Sequence, residues 1–306
     1  MLAFTFPGQG AQKPGMGAPW VDHPSWRIVD IASQTTGRDV KHLLLDADAD
    51  ELTQTRNSQL AIFVMSLIAL DAVRRSGIDC QLAAGHSLGE YSALVAAGGL
   101  SVSDAVVLVR KRGKYMQEAV PVGVGAMAAI LGIESDTAHA LCAKAAGDQV
   151  VSPANLNSSG QVVIAGHREA VERAVTLAKE AGAKRTVMLA VSAPFHCELL
   201  QPAADRLKHD IAASSFSDLK FPLVTNVDAQ PITTAAEARS SLERQVTRPV
   251  RWQESVQWML AHDVRRFTEV GPGKVLLGLI RSADKSVGMF NAEDEKSLEN
   301  AFSGNL

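Results

Sequence analysis

LAAGHSLGEYSALVAAG, residues Leu82 to Gly98, decides how the rest of this chain is read. Its centre, Gly85-His86-Ser87-Leu88-Gly89, fits G-x-S-x-G. In that pattern a strand turns abruptly into a helix and leaves a serine hydroxyl exposed at the helix N-terminus. The flanks supply the required order. Leu82-Ala83-Ala84 is a short apolar run after the loop Gly77-Ile78-Asp79, and Leu88 to Ala97 is rich in helix formers and stops at Gly98-Gly99. The bland alternative is a glycine-flanked turn with a solvated serine; strand and helix signals in this order favour a nucleophile.

Composition sets the bounds. With 306 residues, 46% hydrophobic and 21% charged, the chain can bury a large core and has room for a main domain with an insertion. A net charge of −3 argues against a broadly basic surface, so no nucleic-acid partner is expected. Met1-Leu2-Ala3-Phe4 lacks the basic start of a signal peptide. The longest strongly apolar stretch, Leu60 to Leu70, is interrupted by Ser66 and is too short to cross a bilayer. The expectation is a soluble, cytoplasmic protein with no membrane contact. Cys80, Cys142 and Cys197 form an odd set without a C-x-x-C pair, so neither a disulfide framework nor a metal site is expected. Cys197, beside His196, reads as a small hydrophobe.

Before the elbow, Leu2 to Phe6 reads as a buried strand, followed by the glycine loop Pro7-Gly8-Gln9-Gly10-Ala11-Gln12. This is no dinucleotide loop, because G-x-G-x-x-G would need glycine where Lys13 stands. At the end of a first strand it can instead lend polar groups to a neighbouring site. Thr53 to Ser76 carries Gln59 and a dense apolar run that predicts a buried helix. After the elbow, Ser101-Val102-Ser103-Asp104 predicts a helix cap. On that helix Arg112 falls beside Ala105 and Met116, at about 100° per residue, while Lys111 and Lys114 point to water. A guanidinium on a buried edge needs an anion. An Asp or Glu of the chain is the commoner partner, and a substrate carboxylate held bidentately is the other.

From Gly125 the texture changes. Ala126 to Ile133, Gln149 to Asn155, Gln161 to Ala165 and Arg185 to Val191 read as strands, Ser135 to Ala146 and Glu169 to Ala181 as helices. That βαββαβ order is a ferredoxin-like unit, with Gly123-Val124-Gly125 and Ser192-Ala193-Pro194 as hinges and Asn155 to Gly160 as, most simply, a hairpin loop, the alternative being a ligand-facing polar edge. The main domain resumes at Phe195-His196. Leu199 to Ala212, Ala235 to Val246, Val256 to His262 and Val275 to Ser282 read as helices, Phe221 to Thr225 and Val264 to Val270 as strands, and Asn291 to Leu306 as a peripheral helix or tail. The expected division is 1–124 with 194–306 as one domain and 125–193 as an inserted subdomain.

A serine nucleophile needs a general base, nearly always histidine. Of eight histidines, His86 adjoins the serine and six others sit in segments that read as surface; His196 lies where the inserted unit returns to the main domain, a place where clefts form. No triad acid can be named, since several aspartates would serve.

FPGQGAQ from Phe6, the Gln59 region, GHSLGEYSAL from Gly85, RGKYMQEAVP from Arg112, GAMAAI from Gly125, SPANLNSSGQVVIAG from Ser152, the Pro194 to Cys197 turn and EVGPGKVL from Glu269 together resemble the malonyl-CoA:acyl-carrier-protein transacylase family over nearly the whole chain. The resemblance implies an α/β fold, with an α/β-hydrolase-like core carrying the ferredoxin-like insertion. It implies Ser87 as nucleophile, His196 as its base and the backbone carbonyl of Gln245 in place of a triad acid. The N–H groups of Gln9 and Leu88 would form the oxyanion hole. Arg112 would clamp a malonyl carboxylate, and Gln59 matches a further active-site glutamine. Malonyl-CoA and holo acyl carrier protein would be the substrates of a ping-pong exchange in fatty acid synthesis, with no cofactor and a monomeric enzyme. Phe195, before His196, resembles the Phe-His pair of malonyl-selective polyketide acyltransferases and would crowd a methylmalonyl branch. The alternatives are a free-standing acyltransferase of a polyketide pathway, a serine thioesterase or esterase, and a carrier-docking module without chemistry. Because the carrier is typically acidic, Lys111, Lys114, Lys184 and Arg185 are candidates for docking it.

Overall fold

A strand buried at all five positions can only lie at the centre of a covered sheet, and Leu2–Phe6 (β1) is such a strand. The computed structural model describes residues 1–191 and 193–302. Ser192 of the expected hinge and the end of the expected tail lie outside them. β1 pairs in parallel with Leu82–Gly85 (β2). The chain then forms Gly125–Leu131 (β3), Val151–Ser158 (β4), Gln161–His167 (β5) and Arg185–Met188 (β6), before returning with Leu223–Val224 (β7), Pro231–Ile232 (β8), Arg266–Val270 (β9) and Gly288–Ala292 (β10).

Two sheets result. One has six strands in the order β10-β9-β1-β2-β7-β8, parallel except where β8 pairs antiparallel with β7. The other has four antiparallel strands in the order β4-β5-β3-β6, the arrangement of a ferredoxin-like unit. Alternation along β3 and β5 explains how the second sheet sits. Ala126, Ala128, Ile130, Val162 and Ile164 pack under the helices Ser135–Ala146 and Arg168–Glu180, whereas Met127, Val163 and Ala165 join the main core. β4 is tied to the larger unit by its backbone: Leu156 N–H donates to Val250 O at 2.8 Å and Val250 N–H to Ala154 O at 2.8 Å.

The helix Thr55–Arg75 is longer than the apolar stretch suggested, and by length and composition it could cross a membrane; 89% of its most apolar window is buried in the protein, where it forms the central core helix. Ser101 caps Val102–Glu118 as expected, accepting from Asp104 N–H at 3.0 Å.

Besides strand ends that move by two or three residues, four differences from the sequence reading stand out. β4 runs on to Ser158, so the hairpin turn is only Ser159-Gly160 and Asn155 and Asn157 are strand residues; two register shifts on β4 bend it there. The helix Trp252–Ala261 begins four residues before Val256, because Trp252 is fully buried and starts the packing stripe. The stretch 288–292 is an edge strand whose register with all five residues of β9 satisfies its backbone; it takes Asn291 and Ala292 from the expected helix or tail, and the helix follows at Glu295–Phe302. The two-residue β8 escaped notice for want of any periodicity in so short a pair.

Candidate active site

Glycine at three positions lets the turn after β2 close. A Cβ at Gly85 would lie 2.0 Å from the Gly89 backbone, one at Gly89 would lie 2.0 Å from Phe6 O, and one at Gly8 would lie 2.5 Å from His86 O. The glycine loop after β1 therefore packs directly on the elbow. Ser87 at the apex has φ of 52°, a strained value for a residue with a side chain. Asn226, just past β7, holds that strain from both sides: its Oδ1 accepts from Ser87 N–H at 2.6 Å and its Nδ2 donates to Gly85 O at 2.6 Å.

His196, also at positive φ (58°), brings Nε2 to 2.7 Å from Ser87 Oγ. Its Nδ1 faces two backbone carbonyls, Gln245 O at 2.9 Å and Arg248 O at 3.1 Å. A nitrogen between two acceptors must carry the proton, so Nε2 presents its lone pair to the serine hydroxyl. Burial, then the Arg112 charge, lower the imidazole pKa to about 3.

Arg112 is 1% exposed. Nη1 donates to Gln59 Oε1 at 2.7 Å, and Nη2 donates to Ser87 Oγ and to Gln245 Oε1, each at 3.0 Å. Among the described residues it has no carboxylate within ion-pair distance, which overturns the expectation of a structural Asp or Glu. A buried guanidinium satisfied only by neutral acceptors is costly, and a carboxylate arriving beside it would remove that cost.

The amides of Gln9 and Leu88 donate to no protein acceptor among the described residues. Phe195, 7% exposed, joins Gln9, Gln59, Arg112, Met116 and Met127 around a cavity of about 60 Å³ over the serine. At about 30 Å³ per water, that admits an acyl group of a few heavy atoms. An adjoining cavity of about 270 Å³ shares Gln9, His86 and Asn155 with it and leads outward past Val275 and Leu279. His86 faces Asn157, not the serine, with Nε2 2.9 Å from Asn157 Oδ1. The structure thus brings Ser87, His196, Gln245, Arg112, Gln59, Gln9, Leu88 and Phe195 into one place.

Three residues escaped the sequence reading. Glu90, 1% exposed, accepts from Asn226 N–H at 2.9 Å, Gln245 Nε2 at 2.9 Å and Ser241 Oγ at 2.7 Å. A lone acid in the apolar helix Gly89–Ala96 was the available signal for it, and a polar residue at the end of a parallel strand was the signal for Asn226. Ser241 carried none. Of the docking candidates, Lys111 is half-buried in an ion pair with Asp210, which also accepts from Tyr115 Oη at 2.8 Å, and Lys114 lies 3.9 Å from Glu118. Lys184 and Arg185 are exposed.

Residues 3–300 match the acyl transferase domain family. The chain is 49% identical over 286 residues to the malonyl CoA-acyl carrier protein transacylase of Escherichia coli K12, covering 92% of each chain. It is 44% identical to that of Bacillus subtilis, over 97% of this chain and 95% of the other. The solved malonyl CoA-acyl carrier protein transacylase of Coxiella burnetii superposes with a TM-score of 0.96 at 42% identity, over 99% of this chain and 96% of the other. A malonyl-transacylase solved in complex with its type II PKS acyl-carrier protein superposes equally well, with a TM-score of 0.96 at 42% identity over 99% of each chain. A strained serine on a glycine-walled elbow, a histidine oriented by carbonyls and a match spanning nearly all of the sequence have one explanation: the chain belongs to the acyl transferase family and, within it, to the malonyl CoA-acyl carrier protein transacylases.

Proposed function

We propose that this chain moves the malonyl group of malonyl-CoA to the phosphopantetheine thiol of acyl carrier protein by way of a malonyl-serine at Ser87, supplying fatty acid synthesis in the cytoplasm. The observation that carries the choice of acyl group is Arg112, a buried guanidinium without a carboxylate partner that donates to the nucleophile itself. A malonyl ester on Oγ carries its free carboxylate one methylene beyond the acyl carbon, within the reach of that guanidinium, and the planar fork suits it.

In the first half-reaction Ser87 Oγ attacks the thioester carbonyl as His196 Nε2 takes its proton. The oxyanion is met by the N–H groups of Gln9 and Leu88. Collapse breaks the C–S bond, and the proton on Nε2 goes to the coenzyme A thiolate. In the second half-reaction Nε2 takes the proton of the carrier's thiol, the thiolate attacks the malonyl ester, and the proton returns to Oγ. Burial and the Arg112 charge keep His196 neutral at rest, with Nε2 free to accept, and a neutral carbonyl at Nδ1 stabilises the imidazolium less than a carboxylate would, so the proton is readily given back. Every proton has a carrier and no electron changes hands, so this chemistry calls for no cofactor. All of its groups come from one chain, in keeping with a monomer.

The larger cavity, between the glycine loop, β4 and the helix Val275–Ala283, is the path we assign to the pantetheine arm of either substrate. We assign the serine and arginine to a domain of residues 1–124 and 194–306, and β3 to β6 to an inserted subdomain of residues 125–193 that walls this path.

Intact-mass measurement with malonyl-CoA tests the proposal. A malonyl adduct should form on the wild-type chain, be absent in Ser87→Ala, lose its preference over acetyl in Arg112→Ala, and pass to holo acyl carrier protein. Release of free malonate without transfer would instead make the chain a thioesterase. A carrier of polyketide assembly that accepts malonyl while the fatty acid carrier does not would move it to that pathway.

A further inference from the structure

Glu90 lies behind the reacting groups and touches none of them. Its connections nevertheless converge on Gln245, whose side-chain amide stands between two opposite buried charges: Oε1 accepts from Arg112 Nη2 at 3.0 Å, and Nε2 donates to Glu90 Oε2 at 2.9 Å and to Ser87 O at 3.0 Å. The amide is aligned with the field between them, its oxygen toward the cation and its nitrogen toward the acid. Reversed, it would set N–H against N–H at Arg112. Around the carboxyl, Asn226 N–H, Gln245 Nε2 and Ser241 Oγ all supply hydrogens, the surroundings of an ionised acid, which only accepts. Burial, the largest influence, raises the Glu90 pKa above the usual carboxylate value; those three donors and the Arg112 charge act against it and favour the ionised form.

We propose that Glu90 is the counter-charge of Arg112, acting across the Gln245 amide, and that it sets how tightly the arginine holds the carboxylate of the acyl donor. The idea rests on the malonyl reading above. An anion delivered to Arg112 feels the repulsion of Glu90 through a medium that screens it poorly. That moderation keeps the malonyl-enzyme and its malonylated product from being held too long. Extra affinity present equally in ground and transition states lowers KM without raising kcat.

Glu90→Gln isolates the charge. A glutamine here can place its carbonyl oxygen where Oε2 accepts from Asn226 and Gln245, and its amide toward Ser241 Oγ, which turns to accept. For this variant the ratio of the malonyl-CoA KM to the acetyl-CoA KM should fall about tenfold, with a lower kcat for malonyl as product leaves more slowly. Acetyl carries no carboxylate and reports on the rest of the site. Glu90→Asp keeps the charge but withdraws it by one methylene; it should move the ratio in the same direction by less, and it serves if Glu90→Gln does not fold. An unchanged ratio, or one that rises, overturns the proposal while leaving the malonyl reading intact. Failure of the wild-type chain to prefer malonyl-CoA in the same assay overturns the malonyl reading instead.

Discussion

The six-stranded sheet and the four-stranded sheet meet at the serine but contribute differently. From the first come Ser87, held at φ of 52°, and the end of β7 that leads to Asn226, all within hydrogen bonds of 2.6 to 3.0 Å. The second supplies side chains set along the cavity walls: Met127 from β3, which keeps its antiparallel register, and Asn155 and Asn157 from β4, where the register shifts twice. Strain can persist only where neighbouring bonds over-determine it. Walls need only shape. Changes around the elbow should therefore reduce the rate for every donor, and changes in the walls should alter which donor is accepted.

Asn226→Ala tests the first half of that contrast and should have the largest effect. It leaves Ser87 N–H and Gly85 O without partners, at about 1–3 kcal/mol for each unsatisfied group. A displaced nucleophile costs about 100-fold in rate. Steady-state kinetics should show kcat/KM falling for malonyl and acetyl donors alike, and denaturant unfolding should show the lost stability. A variant as fast as the wild type would mean that the glycines alone hold the turn, and the contrast would break.

Phe195→Ser probes the same wall from the main-domain side, where Phe195 N–H meets Met127 Sδ at 3.3 Å. Its ring borders the 60 Å³ cavity beside Met116 and Met127. Opening that space should raise the ratio of methylmalonyl to malonyl kcat/KM by about tenfold, the usual scale for one methyl group against a pocket. Malonyl turnover should change little. Competition between the two thioesters measures the ratio directly, and an unmoved ratio would deny Phe195 any part in selection.

The smallest effect concerns a second buried carboxylate, on an inner strand of the six-stranded sheet. Glu269, at the end of β9, accepts from Leu276 N–H at 3.2 Å and Leu277 N–H at 2.9 Å, so it anchors the helix Val275–Ala283 and touches no reacting group. Burial raises its pKa from 4.5 to about 7 despite those donors. The folded chain then binds this proton more tightly than the unfolded chain. The stabilising contribution is complete below pH 4.5 and is lost as pH climbs to about 7. Urea unfolding at pH 5, 6 and 7.5 should show the wild type losing stability relative to Glu269→Gln across that range. A constant difference would show that the carboxyl is ionised throughout.

Much of the fold could be read from local pattern because its causes are local. Leu2–Phe6 and Leu82–Gly85 are apolar but for Thr5, G-x-S-x-G demands a tight turn, and β3 to β6 with their two helices follow periods of two and 3.6. The strand 288–292 was missed because its partner lies 22 residues away in sequence and five residues opening on glycine show no clear period of two. Of the site, Ser87 announces itself by its turn and Arg112 by its awkward place on a helix. His196 was separable from the other histidines only by its position beside a hinge.

What the sequence determined by itself, then, is the elbow, the glycine loop, the buried arginine and the order of elements apart from β8 and β10, each dictated by local sterics or periodicity. Tertiary structure alone decided that Arg112 would meet Gln59, Ser87 and Gln245 and no carboxylate, and that two carbonyls would fix the His196 tautomer. It also decided that Glu90 would face Asn226, Ser241 and Gln245 across 136, 151 and 155 residues of chain. Hydrogen bonds are directional and short, so their partners are fixed only when the packing of distant elements sets side chains to within a fraction of an ångström. No local pattern carries that information.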